Sequence, residues 1–238
     1  MHPSFRNKQS AYYEKYPNAY SSLNFDYCLV KIHPVDVERI NRNSPLPGVT
    51  KVAIAKLAET HVPFSVGVGT ETISDAKCHV VGWGQVETGG QSPVLRDAKV
   101  DVMSQLYCNQ LGRNITSRRI KRTYTRVADT FSFCAGRGGA DACEGDSGGP
   151  LFCEINSERI QFGVVSHGPP GGRCGRTNRP GIYSNVPYAL AWIRNVTQST
   201  YYCIITTITV INVLVVYFVI FYHVFSTYYV QCNCFGSY

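Results

Sequence analysis

The run Asp141-Ala142-Cys143-Glu144-Gly145-Asp146-Ser147-Gly148-Gly149-Pro150 places a serine in a glycine-rich turn, with an acid directly before it and a cysteine nearby. A serine hydroxyl is a poor nucleophile by itself; it needs a base for its proton and a site for the negative charge that develops on the attacked carbonyl. Glycine has no Cβ and tolerates unusual backbone angles, so it lets amide groups approach such a charge closely. The residue types therefore describe a nucleophile turn with its own oxyanion hole, donated by the N–H groups of Gly145 and Ser147.

The elements that would carry this turn read as short strands. Val52–Leu57, Cys78–Trp83, Ala98–Val102, Pro150–Cys153, Ile160–Ser166 and Gly181–Val186 are apolar, β-branched-rich runs between Gly, Pro and Ser punctuation. Many short strands so spaced predict an antiparallel all-β barrel or sandwich. Phe25–Ile32 is a further strand candidate, and residues 42–50, with Pro45, Pro47 and Gly48, read as a turn or linker. Tyr188–Val196 carries Leu190, Ile193 and Val196 at roughly helical spacing and predicts one short helix. Residues 1–25 read as a polar, tyrosine-rich loop, and no internal repeat is present.

Composition bounds the class. The 238-residue chain is 44% hydrophobic and 16% charged, with a net charge of +7. The charged share falls below the usual quarter because of an apolar C-terminal stretch. Much of the basic charge sits in Arg113, Arg118, Arg119, Lys121, Arg122 and Arg126. That run suits a solvated loop, with an exosite for a sulfated sugar or acidic protein as the functional alternative. No motif supports nucleic-acid binding. Ten cysteines point to an oxidising compartment, and none of them forms a paired C-x₂-C zinc pattern, so no metal or cofactor is expected. Asn114-Ile115-Thr116 and Asn195-Val196-Thr197 are glycosylation sequons consistent with secretion. Met1-His2-Pro3-Ser4 lacks the pattern of a signal peptide, and the expectation is that the true N-terminus lies outside these residues.

Cys203 to Phe225 contains no Asp, Glu, Lys or Arg and is long enough to cross a bilayer, which takes about 20 apolar residues. Its Ile, Val, Thr, Tyr and Phe are poor helix formers, and no Lys or Arg follows Arg194 to orient it. A membrane anchor over 203–225, a lipid-anchor signal and a mistranslated extension all remain open for the tail.

Asp141–Pro150 resembles the active-site serine motif of the trypsin/chymotrypsin-type serine proteases, and the resemblance extends over about residues 2–196. It implies a two-barrel fold with an incomplete N-terminal barrel (1–60, including the inter-barrel linker), a complete C-terminal barrel with a short helix (61–198) and an apolar tail (199–238). Asp26-Tyr27-Cys28-Leu29-Val30-Lys31-Ile32 is similar to the segment carrying the triad aspartate, which would make Asp26 the group that orients a catalytic imidazole. Cys78-His79-Val80-Val81-Gly82-Trp83-Gly84 looks like the buried aromatic strand opening the second barrel. The resemblance implies the pairs Cys78–Cys153, Cys108–Cys134 and Cys143–Cys174; Cys28 would be buried as a small apolar side chain. It makes Asp141 the floor of the primary specificity pocket, taking Arg or Lys, with Gly168 and Gly181 as its walls. Ala142 tilts that preference toward Arg. Val164-Val165-Ser166-His167-Gly168 resembles the strand that pairs with substrate backbone, with His167 where the family usually has Trp.

One part is missing. The histidines are His2, His33, His61, His79, His167 and His223, and none stands in the family's catalytic context. The base should precede Asp26 by several dozen residues, whereas only residues 1–25 precede it here. The ammonium that the family pairs with the acid before the nucleophile, here Asp146, also has no source in the chain. The expectation is a secreted or cell-surface serine endopeptidase, acting on protein or peptide substrates and open to protein inhibitors, whose 238 residues are inactive alone. The alternative is a non-catalytic homologue acting as a binding or decoy module.

Overall fold

The computed structural model describes residues 26–31, 36–43, 52–113, 124, 131–168, 174–207 and 217–218. Its elements, in chain order, are β1 (Val30–Lys31), α1 (Val37–Asn43), β2 (Lys56–Leu57), β3 (Lys77–Gly82), β4 (Arg96–Met103), α2 (Gln105–Arg113), β5 (Ser132–Gly136), β6 (Pro150–Ile155), β7 (Glu158–His167), β8 (Gly181–Asn185), α3 (Val186–Thr207) and β9 (Tyr217–Phe218). Strands β3, β4, β5, β8, β7 and β6 pair antiparallel in that order, and β6 pairs back onto β3. The result is a closed six-stranded barrel, which removes the exposed edges an open sheet would carry. β2 adds parallel to β7 on the outside, and β9 pairs antiparallel with β1.

Alternation along the strands builds the core. In β3 the side chains of Cys78 and Val80 face inward while Lys77 and His79 face out. Val100 and Val102 of β4, Phe133, Leu151, Phe162, Val165 and Tyr183 complete the interior. β5 and β8 are buried along their whole length. Their second face is covered by Met103, Cys108 and Tyr124, which pack with Cys134 and Ile182. Cys78–Cys153, Cys108–Cys134 and Cys143–Cys174 are disulfides, the pairs implied by the resemblance. The 26–31 segment docks on the C-terminal helix: Tyr27 packs with Ala189 and Ile193, and its hydroxyl donates to the carbonyls of Asn185 (2.6 Å) and Phe131 (3.2 Å).

The fold corrects several element assignments. Among the described residues, 26–31, of the Phe25–Ile32 run only Val30–Lys31 form a strand ladder, and of the Val52–Leu57 run only Lys56–Leu57 do. The C-terminal helix is longer than Tyr188–Val196, reaching from Val186 to Thr207. Two helices were not anticipated, and both start at polar caps. The Asp36 carboxylate accepts from the Arg39 amide at 2.8 Å, and the Ser104 hydroxyl from the Tyr107 amide at 3.3 Å. β5, Ser-Phe-Cys-Ala-Gly, also escaped notice because Ala and Gly are weak strand formers; it is a strand because β4 and β8 flank it. Cys28 is half-buried rather than buried, and Trp83, assigned to a buried strand, is 45% exposed. The buried residues there are the glycines beside it, Gly82 and Gly84. Most of 203–225, the basic run beyond Arg113 and the Asn114 sequon lie outside the described residues. Among the described residues no helix is long and apolar enough to cross a membrane.

Candidate active site

The nucleophile turn connects the loop after β5 to the start of β6. Asp146 N–H donates to the Cys143 carbonyl at 3.0 Å and Gly149 N–H to the Asp146 carbonyl at 2.9 Å, so the chain reverses tightly around Ser147. Gly145 and Gly148 have φ of 96° and 82°, a region that an L side chain rarely enters. Two backbone bonds, Gly148 N–H to Val165 O (2.9 Å) and Val165 N–H to Gly149 O (2.8 Å), anchor the turn to β7. Ser147 is exposed, and its hydroxyl has no hydrogen-bond partner among the described residues. The amides of Gly145 and Ser147 are likewise unengaged there. Two free donors flanking an exposed hydroxyl can stabilise an oxyanion formed by attack of that hydroxyl on a carbonyl.

Asp146 positions the turn from beneath. Its Oδ1 accepts from Gly84 N–H at 2.7 Å and its Oδ2 from Cys143 N–H at 2.9 Å. The expectation of an acid lacking its partner is refined here: no cation reaches Asp146 among the described residues, and two amides hold the carboxylate instead. A Cβ at either Gly82 or Gly84 would collide with that carboxylate. The Gly-Trp-Gly run, assigned above only to the fold, therefore also shapes the nucleophile turn. Its signal was visible as two glycines in a strand, which mark a close approach by another group.

Asp141 lies at the other end of the same loop. Its Oδ1 accepts from Ala142 N–H at 2.8 Å and from the Tyr183 hydroxyl at 3.2 Å, and the amides of Gly175 and Gly181 add further donors. Burial raises its pKa to about 7 against the opposing pull of those bonds. A side chain on Gly181 would meet the carboxylate at 2.8 Å, so only glycine leaves it room. No Lys or Arg pairs with Asp141 among the described residues. The same charge, with burial as the larger cause, drives the Tyr183 phenol well above its usual range. Tyr183 went unremarked in the sequence, where a Tyr in a buried strand has no distinguishing signal. The Cys143–Cys174 disulfide joins this loop to the segment before β8.

Asp26 meets the barrel through Ser166. The Ser166 hydroxyl donates to Asp26 Oδ2 at 2.7 Å and lies 3.0 Å from His167 Nδ1. Burial raises the Asp26 pKa, with the Ser166 bond opposing. His167 is driven down to about 4 by burial, so its ring is neutral at physiological pH. None of the described residues comes within 4 Å of a Cβ built on Gly168. His79 is bound to Asp97 at 2.8 Å on the outer face of the barrel, and His61 is exposed. No histidine among the described residues is hydrogen-bonded to Asp26; His2, His33 and His223 lie outside them. No cluster of His, Cys, Asp and Glu suited to a metal occurs among the described residues.

The family model Trypsin matches residues 6–193. Human testisin is 33% identical over 201 residues, covering 81% of this chain and 56% of that protein. Human serine protease 41 is 39% identical over 126 residues, 50% of this chain and 36% of that protein. Mouse tryptase is 34% identical over 137 residues, 56% of this chain and 48% of that protein. The chain thus spans 36 to 56% of the length of these curated relatives. Among solved structures, mouse neuropsin, a serine protease expressed in the limbic system of the brain, is 28% identical with a TM-score of 0.44, over 63% of this chain and 56% of that one.

Proposed function

The chain belongs to the trypsin family of serine proteases, and from that premise we propose that it is a serine-type endopeptidase fold selective for Arg, and less for Lys, before the scissile bond. One observation carries the reading: an exposed Ser147 flanked by amides that are unengaged among the described residues, on the same loop as a half-buried Asp141 that no described cation pairs with. A buried carboxylate is costly unless paired, so it favours a long cationic side chain entering the pocket. Ser147 Oγ would then attack the carbonyl after that residue. The negative oxygen would lie between the Gly145 and Ser147 amides, and an acyl-enzyme on Ser147 would be hydrolysed by water. In this scheme a base takes the Ser147 proton and returns it to the leaving amine. In this reading Asp26 is the acid that would orient an imidazole for that task.

No histidine of this chain stands in the context the family uses for the base, so the 238 residues expressed alone have no appreciable peptidase activity. Secretion or cell-surface display, protein substrates and protein inhibitors follow from the same reading. The engagement of Asp26 by the Ser166 hydroxyl is also compatible with a second reading, a non-catalytic module that binds basic side chains in an intact cleft.

Binding of p-aminobenzamidine to the full chain, and its loss in Asp141→Ala, tests the pocket. A chain that binds it equally in both forms overturns Arg selectivity. A fluorophosphonate probe separates the catalytic readings when applied to material isolated from its native source. Labelling at Ser147 establishes an activated nucleophile, whereas no labelling alongside Asp141-dependent binding supports the binding module. Turnover of an Arg peptide by residues 1–238, abolished in Ser147→Ala, overturns the inactivity.

A further inference from the structure

Strand β7 carries an irregularity where it leaves the barrel. Val165 pairs with Tyr183 and His167 with Ile182, so Ser166 is an extra residue with no opposite number on β8. A bulge of this kind breaks strict alternation and re-aims side chains. Here it brings Ser166 Oγ within 3.0 Å of the ring of the next residue, His167 Nδ1.

Donor counting then determines the tautomer. Ser166 has one hydroxyl hydrogen. A carboxylate is the stronger acceptor, and the bond to Asp26 Oδ2, at 2.7 Å, is the shorter of its two contacts. With that hydrogen on Asp26, the 3.0 Å contact to His167 is a hydrogen bond only if Nδ1 is the donor. In the neutral ring the proton is therefore on Nδ1, and Nε2 is a bare acceptor. His167 is half-buried, and the desolvation it does undergo lowers its pKa to about 4, which leaves the ring neutral near pH 7. Asp26 thus acts on His167 through Ser166, and the acceptor is held in place by a relay of three residues.

In the cleft reading above, this acceptor would lie beside the path of the substrate. β6 stops pairing with β7 at Val164, and the nucleophile turn takes up Val165. Beyond that point, among the described residues, the Ser166–Gly168 edge has no strand beside it and nothing lies within 4 Å of a Cβ built on Gly168. An extended peptide adding to this edge would run past His167 immediately before its Arg reaches Asp141.

We infer that His167 is a specificity residue: its fixed Nε2 acceptor selects peptides that carry a hydrogen-bond donor side chain next to the Arg and rejects those that carry a carboxylate there. The inference rests on the cleft reading above and deepens it. A donor such as Gln completes the acceptor. Leu buries it without a partner, and the oxygens of Glu face its lone pair. Ser166 is a positioning residue in this scheme, since it determines which ring nitrogen carries the proton.

The test uses the full chain carrying Ser147→Ala, so that peptides stay intact, with displacement of p-aminobenzamidine as the readout. The probes are acetylated tripeptide amides ending in Arg, with Gln, Leu or Glu at each of the two preceding positions. The expected order at the position directly before the Arg is Gln over Leu by about fivefold, with Glu weakest. In His167→Trp the order inverts to favour Leu. In Ser166→Ala the ring can take either tautomer, and the Gln-to-Glu ratio narrows while Arg is still required. Equal affinities, or Leu first in the unaltered cleft, overturn the proposal, as does a Gln preference that survives in His167→Trp. If p-aminobenzamidine binds in an Asp141-dependent manner but no peptide displaces it, the proposal falls and the pocket reading stands. If p-aminobenzamidine does not bind, both fall.

Discussion

Gly84 N–H donates to Asp146 Oδ1 at 2.7 Å, so the end of the first barrel strand holds the acid that precedes the nucleophile. A Cβ at Gly84 would overlap that carboxylate, which would have to move aside. Gly84→Ala should therefore displace the Asp146 carboxylate and the turn with it. The expected destabilisation is about 1–3 kcal/mol, in the range for overpacking a tight site. Urea denaturation of the variant against the parent chain measures it, and an unchanged midpoint would refute the contact.

Asp141 makes stability and binding depend on pH in opposite senses. Its folded-state pKa is raised from 3.8 to about 7, so the folded chain holds a proton there that the unfolded chain has released between those values. The contribution to stability is full below pH 3.8 and is lost as pH rises through about 7. Asp141→Asn should flatten this part of the stability profile. Binding of p-aminobenzamidine needs the carboxylate and should weaken, approaching tenfold per unit, as pH falls below about 7. Titrations of both chains across pH 5–9 check the two slopes.

Tyr27 latches the segment carrying Asp26 to the barrel through hydrogen bonds to Asn185 O and Phe131 O, at 2.6 and 3.2 Å. Tyr27→Phe keeps the ring packed against Ala189 and Ile193 and removes both bonds. It should cost about 1–2 kcal/mol, since a buried carbonyl loses its partner. Hydrogen exchange at residues 26–31 should accelerate in the same variant, and unaltered protection would count against the latch.

Ser147 has the reverse profile. It is exposed and its hydroxyl has no partner among the described residues, so Ser147→Ala should shift stability by less than about 0.5 kcal/mol. Binding of p-aminobenzamidine should also be retained. A large loss of stability would show that the hydroxyl has a structural role and would weaken its assignment as nucleophile.

The Cys143–Cys174 disulfide closes a separation of 31 residues between the nucleophile loop and the segment before β8. By loop-closure entropy its removal in Cys143→Ser/Cys174→Ser should cost about 3–4 kcal/mol. Thermal unfolding under non-reducing conditions reports this; a loss near zero would mean that the loop is held by its backbone bonds alone.

Much of the architecture was legible because short apolar runs between turn-forming residues declare themselves as strands. The runs Cys78–Trp83 and Ala98–Val102 read as strands from their apolar residues between Gly, Pro and Ser punctuation, and β3 and β4 overlap them. The alternation that buries Cys78, Val80, Val100 and Val102 came with the structure. The elements that escaped lack such a run. β5 contains Cys, Ala and Gly, and its strand state comes from neighbours distant in sequence. The helix Val37–Asn43 is short and polar, and its start depends on one Asp36 cap.

At the site, residue types and local spacing determined the nucleophile turn, the acid six residues before it and the absence of a base in the expected context, because all are chemistry within one short run or a missing one. The tertiary structure decided the rest. It brought Gly84 under Asp146, Tyr183 onto Asp141, and Ser166 between Asp26 and His167. These pairs are separated by 62, 42 and, for Ser166 and Asp26, 140 residues. Contacts at such separation arise only when a closed barrel sets its register. The approach of His167 Nδ1 to Ser166 depends in turn on a one-residue bulge that no periodicity in the chain announces.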